Sequence, residues 1–197
     1  CFTATLRGAE TDIVPGDTVK RRIVGYLGHD GKTGCGAKFT NIRVVCQNTL
    51  TAALTGSGAS SSITHKGTAN ANFDALINSI DVSRQDFATE CELMREFAST
   101  HMSMGAFNEY VDEVYDIDEG QILRKRQKLE RAFRSGYGSE YASFSVWNGF
   151  NAITQLETST RNQTAAKSRS QFARGTFGLG AQISKKAFSI ARELVTS

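Results

Sequence analysis

No run of apolar residues in the chain approaches the roughly 18 needed to cross a bilayer as a helix, and the longest uncharged stretches are interrupted by Ser, Thr, Gly and Asn. A membrane-spanning helix is therefore excluded. Cysteine is sparse and dispersed: Cys1, Cys35, Cys46 and Cys91 form no Cys-x-x-Cys pair, and a chain of 197 residues needs no disulfide framework, so they are read as reduced. The three histidines, His29, His65 and His101, fall in separate predicted elements, and Cys35 with Cys46 supplies only half a zinc site. The glycines Gly28, Gly31, Gly34 and Gly36 lack the Lys-Ser/Thr that completes a phosphate-binding loop. Neither a local nucleophile motif nor a sequence repeat is present. These absences predict a protein without cofactor, resident metal or side-chain active site.

Hydrophobic residues account for 40% of the chain, with twelve Phe among them, enough to build one core over a single domain, 1–197. Charge is more informative. The formal net charge is only +3, yet residues 1–60 carry seven basic and four acidic groups, residues 61–120 three and twelve, and residues 121–197 thirteen and four. An acidic middle beside a basic last third suits either a basic face for a phosphate backbone or complementary regions that pair within one subunit or between copies.

Val19 to Leu27 is branched and aromatic and runs toward Asp30-Gly31, and a second extended run follows from Ala37 to Cys46. Together they predict a β-hairpin with its loop over roughly His29 to Gly36 and an exposed basic end. Gln47 to Leu54 reads as a short helix, and residues 55–68, rich in Gly and Ser, as a flexible surface loop. Helical periodicity follows in Phe73, Leu76, Ile77 and Ile80, then in Phe87, Cys91, Met94, Phe97, Ala98 and His101, after which Gly105 and Gly120 bracket a segment with Phe107, Tyr110, Val111, Val114 and Tyr115. Gln121 to Arg134 predicts a basic amphipathic helix whose inward side holds Ile122, Leu123, Arg126, Leu129, Ala132 and Phe133. A glycine turn over 134–139 leads to a helix expected from Glu140 to Leu156, capped by Ser139 and carrying Phe144, Trp147, Phe150 and Ile153 in its apolar band. A final helix is expected over Gly180 to Val195. The predicted fold class is α+β, an antiparallel hairpin or small sheet packed with several helices.

Basic side chains interleaved with aromatics suit single-stranded nucleic acid, with Arg and Lys on phosphates and Tyr or Phe stacked on bases. The hairpin offers Lys20, Arg21, Arg22, Lys32, Lys38 and Arg43; further on come Arg124, Lys125, Lys128, Arg131, Arg134 and Tyr137. The bland alternative is a solvated basic surface. A metal-dependent nuclease would draw on His29 and Asp30 with acids among Asp112, Glu113, Asp116, Asp118 and Glu119.

From Gly16-Asp17 through the hairpin to Phe39-Thr40-Asn41-Ile42-Arg43-Val44-Val45-Cys46-Gln47-Asn48-Thr49-Leu50, then at Ala53-Leu54 and His65, the sequence resembles phage/plasmid-like proteins of an uncharacterised domain family encoded by bacteria, their phages and plasmids. The similarity continues at Trp147, Asn148, Asn151, Ala152 and Thr154, and at Phe177-Gly178 with Lys186 and Ala187. Glu157-Thr158 departs from it, standing where members tend to have Asp-His. Some members are distantly similar to ring-forming single-strand annealing proteins, whose hairpin-bearing sheet is backed by helices around a basic groove. The resemblance marks Asn48, His65, Trp147 and Asn151 as motif residues, each equally able to serve the fold. The expectation is a single-stranded DNA-binding or annealing homo-oligomer, ring or filament, in the cytoplasm of a bacterial host. Its rivals are a structural or protein-interaction module and the nuclease.

Overall fold

The computed structural model of the chain describes residues 2–27, 35–45, 48–50, 60–63, 87–117, 125–159, 167, 174 and 178–196. They form a mixed α+β fold in which a small antiparallel sheet packs against several helices. Strands β1 (Phe2–Val14), β2 (Asp17–Leu27), β3 (Cys35–Arg43) and β4 (Asn48–Leu50) lie side by side in chain order, and β5 (Ser60–Ile63) also pairs with β3. The expected hairpin is β2–β3, in register from Val19 opposite Arg43 to Leu27 opposite Cys35. The other edge of β3 is shared: β4 takes Asn41 to Arg43, and β5 takes Cys35 to Lys38.

One strand is added to the expectations here, and two expectations are corrected. The sequence reading gives no sign of β1, which joins β2 through Pro15-Gly16 with Gly16 at φ 85°, the left-handed position that Gly fills without strain. Asn48–Leu50 is a strand, not the start of a helix, because the free edge of β3 offers hydrogen bonds that a three-residue helical start cannot match. Ser60–Ile63 likewise is a strand within the segment read as loop; serine is a poor strand former, and edge pairing overrides its preference.

The helices described are α1 (87–99), α2 (Met104–Tyr115), α3 (Arg126–Ser135), α4 (Val146–Thr158) and α5 (Leu179–Thr196). In α1 the buried residues Phe87, Glu90, Cys91, Met94 and Phe97 recur at helical spacing, whereas His101 lies beyond the helix and is exposed. Ser103 caps α2 by accepting from the Ala106 N–H at 3.1 Å. The cap of α4 is Ser145, not Ser139, and accepts from the Asn148 N–H at 3.1 Å. The helix cannot start earlier because Phe144 sits at φ 50°, outside right-handed helical geometry. Residues 136–145 are instead a wound turn, pinned where the Phe144 carbonyl accepts from the Met102 N–H and the Val146 N–H donates to the Thr100 carbonyl. The helical predictions at 73–80 and 121–124 lie outside the described residues.

Two aromatic groups fill the helical core. Phe97, Trp147, Phe150 and Phe188 join α1, α4 and α5, and Phe107 stacks on Phe133 with ring centroids 4.2 Å apart, joining α2 to α3. The sheet turns a different surface toward them. Among the residues whose side chains are described, Asp17, Val19 and Arg21 alternate inward on β2 and Asn41 and Arg43 on β3, beside Ile13 of β1, so this part of the inner face carries buried charge.

Candidate nucleic-acid interface

The inward charges of the sheet are fully engaged, and this divides the cations predicted to touch phosphate into two groups. Arg43 is 1% exposed and Asp17 opposite it 0%. The guanidinium meets the carboxylate as a fork, Nε to Oδ1 at 2.7 Å and Nη2 to Oδ2 at 2.6 Å. It also donates to the carbonyls of Tyr137 at 3.0 Å and Gly138 at 2.9 Å, and lies 5.5 Å from the Trp147 ring centroid. The Trp147 indole Nε1 donates to Asp17 Oδ2 at 2.8 Å. Sheet, wound turn and α4 are thus joined at one buried ion pair. Arg21 has the same standing toward α1: its Nη1 donates to Glu90 Oε2 at 2.8 Å and to Asn41 Oδ1 at 3.3 Å, and Asn41 Nδ2 donates to Glu90 Oε2 at 2.6 Å.

Arg21 and Arg43 therefore stand as corrections to the predicted site, since neither reaches the surface. Both are basic in sequence but interior in space, because helices cover the face to which they alternate. Lys20 and Arg22 point to the opposite face, where Lys20 pairs with Glu10 at 2.6 Å and Arg22 is half-buried. Lys32, Arg124 and His65 lie outside the described residues, as do the side chains of Lys38 and Asn48.

A third network consumes part of the basic last third. Glu157, 2% exposed at the end of α4, accepts from the Tyr115 hydroxyl at 2.8 Å, from Arg174 Nη2 at 2.7 Å and from Lys125 Nζ, whose ammonium also lies 4.2 Å from the Tyr115 ring centroid. Burial first, then the neighbouring Glu157 charge, pushes the Tyr115 phenol well above its ordinary value. Arg126 is tied to Asp112 and Lys186 to Asp116. The acidic middle thus pairs in part with the basic end inside one chain. Thr158, the other departure from the family pattern, is buried and donates to the Thr154 carbonyl at 2.7 Å.

The exposed cations of α3 are Lys128, Arg131 and Arg134. At about 100° per residue these three span one side of the helix, directly opposite buried Leu129 and Phe133. The wound turn follows, with Tyr137, Tyr141 and Phe144 exposed although aromatic. Trp147 and Asn151 of the motif set are interior; Asn151 Nδ2 donates to the Trp147 carbonyl at 2.8 Å.

The sequence reading gave Asp17, Glu90 and Glu157 no role as buried charges, although Asp17 and Glu157 stand in its family comparison. A signal was present in each case: Asp17 alternates with Val19 and Arg21, Glu90 stands on the stripe of Phe87 and Cys91, and Glu157 continues the stripe of Trp147, Phe150 and Thr154. A carboxylate on a buried stripe announces a partnered charge.

Among the described residues no three of His, Cys, Asp and Glu converge as a metal site, and no helix is long and apolar enough to cross a membrane. His29, Asp30, Asp118 and Glu119 of the nuclease alternative lie outside the described residues, while Asp112 and Asp116 are held in the ion pairs above. No curated protein and no solved structure matches the chain. The match that exists covers residues 2–176, and by it the chain belongs to the family described as Domain of unknown function (DUF932).

Proposed function

We propose that the protein is a single-stranded DNA-binding and annealing protein of a phage or plasmid, working as a homo-oligomer in the cytoplasm of a bacterial host, without a catalytic centre. The observation that carries this reading is the exposed cationic side of α3, where Lys128, Arg131 and Arg134 face solvent while the neighbouring Lys125 and Arg126 are held by carboxylates. Exposed cations with no carboxylate partner among the described residues are placed for phosphate oxygens, whose attraction is independent of sequence. A further support is the resemblance of the hairpin and α4 motifs to proteins distantly similar to single-strand annealing proteins, whose core is also a hairpin-bearing sheet backed by helices.

The test is fluorescence anisotropy of a labelled strand of about 30 nucleotides at about 50 and about 300 mM salt, with light scattering on the same samples. Binding that falls steeply with salt is expected, and strand exchange between complementary oligonucleotides is the next assay. Replacing Lys128, Arg131 and Arg134 by Glu should abolish retention of the strand while leaving the mass of the assembly unchanged. A well-folded protein that binds at neither salt, or whose α3 variant changes mass instead, would favour an interaction module.

A further inference from the structure

We infer that Tyr137, Tyr141 and Phe144 form a base-stacking shelf beside the α3 cations, making the ligand an unpaired strand and not a duplex. The inference rests on the phosphate-binding reading of α3 and adds the part of the ligand that a cationic helix cannot distinguish.

Exposed aromatic side chains are ordinary one at a time. Here three lie in one eight-residue stretch, with exposures of 38%, 37% and 42%. Their backbone is not a free loop. Arg43 holds the carbonyls of Tyr137 and Gly138, and Tyr137 N–H donates to Gln155 Oε1 at 3.0 Å. The Tyr141 ring lies against the β1–β2 turn so closely that a Cβ on Gly16 would come within 3.0 Å of it. The Phe144 ring stands edge-on to Phe133 of α3 at 5.5 Å between centroids. The Tyr141 and Phe144 rings are therefore held against the fold while partly exposed, and Tyr137 is held by its backbone, which lowers the ordering cost when a flat partner is laid on them.

Charge complementarity identifies that partner. Arg134 and Tyr137 are separated by three residues, at most about 10 Å of chain, so the shelf begins where the cationic face of α3 ends. A ligand spanning both must present anionic groups and flat π-faces close together. Single-stranded nucleic acid does so; in a duplex the bases are stacked on one another and their faces are closed. Glu140 is the one carboxylate in the turn.

The experiment uses the full chain and three probes of about 30 units: oligothymidylate, the corresponding duplex, and an abasic strand with the same phosphates. Preference for oligothymidylate over both others is expected. Tyr141→Leu and Phe144→Leu should each weaken it roughly ten-fold, with the salt slope unchanged, while Tyr141→Phe should bind as the parent does. Unmodified protein irradiated with a 5-iodouracil strand should crosslink at Tyr137, Tyr141 or Phe144, a result independent of whether any variant folds. Equal affinity for the abasic strand, or crosslinks confined to other residues, would overturn the shelf while leaving the α3 reading standing. No binding of any probe would sink both.

Discussion

Arg43 is the side chain on which most segments depend, and its replacement tests the interior charge directly. Arg43→Met leaves Asp17 buried without its cation and two carbonyls without their donor, a loss expected to cost about 3–5 kcal/mol. Lys cannot reproduce the planar fork and should fare little better. Adding Asp17→Asn to Arg43→Met should cost less than the sum of the single losses, a coupling read from urea midpoints in a double-mutant cycle. Cys91 supplies a second test at this scale. Burial against the α1–sheet interface pushes its thiol up from 9.0 to about 12, so at pH 8 it is protonated and enclosed. Site-resolved mass spectrometry after thiol alkylation should find Cys91 unmodified in the native protein and modified once urea unfolds it. Labelling at native conditions would contradict the enclosure.

Among the elements, the wound turn between α3 and α4 is the one whose backbone is most constrained. Gly138 has φ 76°, and a Cβ there would fall 2.5 Å from Val45 Cγ1 and 2.7 Å from Arg43 Nη2. Gly138→Ala should therefore destabilise by several kcal/mol, combining left-handed strain with displacement of the ion pair. Gly105, exposed in the first turn of α2 with only Ser103 Oγ near at 3.7 Å, predicts the opposite sign: Gly105→Ala should raise stability by about 0.4–1 kcal/mol. Thermal melts of the two variants give the comparison.

The same turn shows where the sequence was legible. The β2–β3 hairpin could be read from branched and aromatic runs on either side of Asp30-Gly31, and α1 and the final helix from their period of 3.6. The start of α4 could not, since Tyr141 and Phe144 continue the apolar band of Trp147 and Phe150 although they lie outside the helix. Strands β4 and β5 were illegible for another reason: they are made by the free edge of β3, which no local pattern reports. Of the predicted contact set, Lys128, Arg131, Arg134 and Tyr137 are exposed as their polarity suggests. Arg21 and Arg43 are not, because their partners Glu90 and Asp17 lie 69 and 26 residues away.

For the whole molecule, pH dependence follows from three neutral acids enclosed by the fold. Cys91, Tyr110 and Tyr115 all have values raised above the ordinary ones, chiefly by burial. The unfolded chain therefore releases these protons at a lower pH than the native one. Their contribution is fully present below about pH 8 and is lost as pH rises through the unfolded values toward the native ones. The thermal midpoint should be flat with respect to these groups up to about pH 8 and then fall, and Tyr115→Phe should shallow the decline.

The buried charges of the sheet also bear on how the chain survives its own synthesis. The indole that closes on Asp17 belongs to a residue 130 positions later, and the carbonyls that receive Arg43 come 94 and 95 positions after it. At about 5–20 residues per second, roughly 6–26 s separate translation of Asp17 from translation of Trp147. A nascent sheet with an apolar inner face would spend that interval as an adhesive surface. Where Asp17, Arg21 and Arg43 stand, charge on the uncovered strands disfavours adhesion of stray strands until Glu90 and Trp147 arrive, so a chain with these three replaced by apolar residues should aggregate more during refolding.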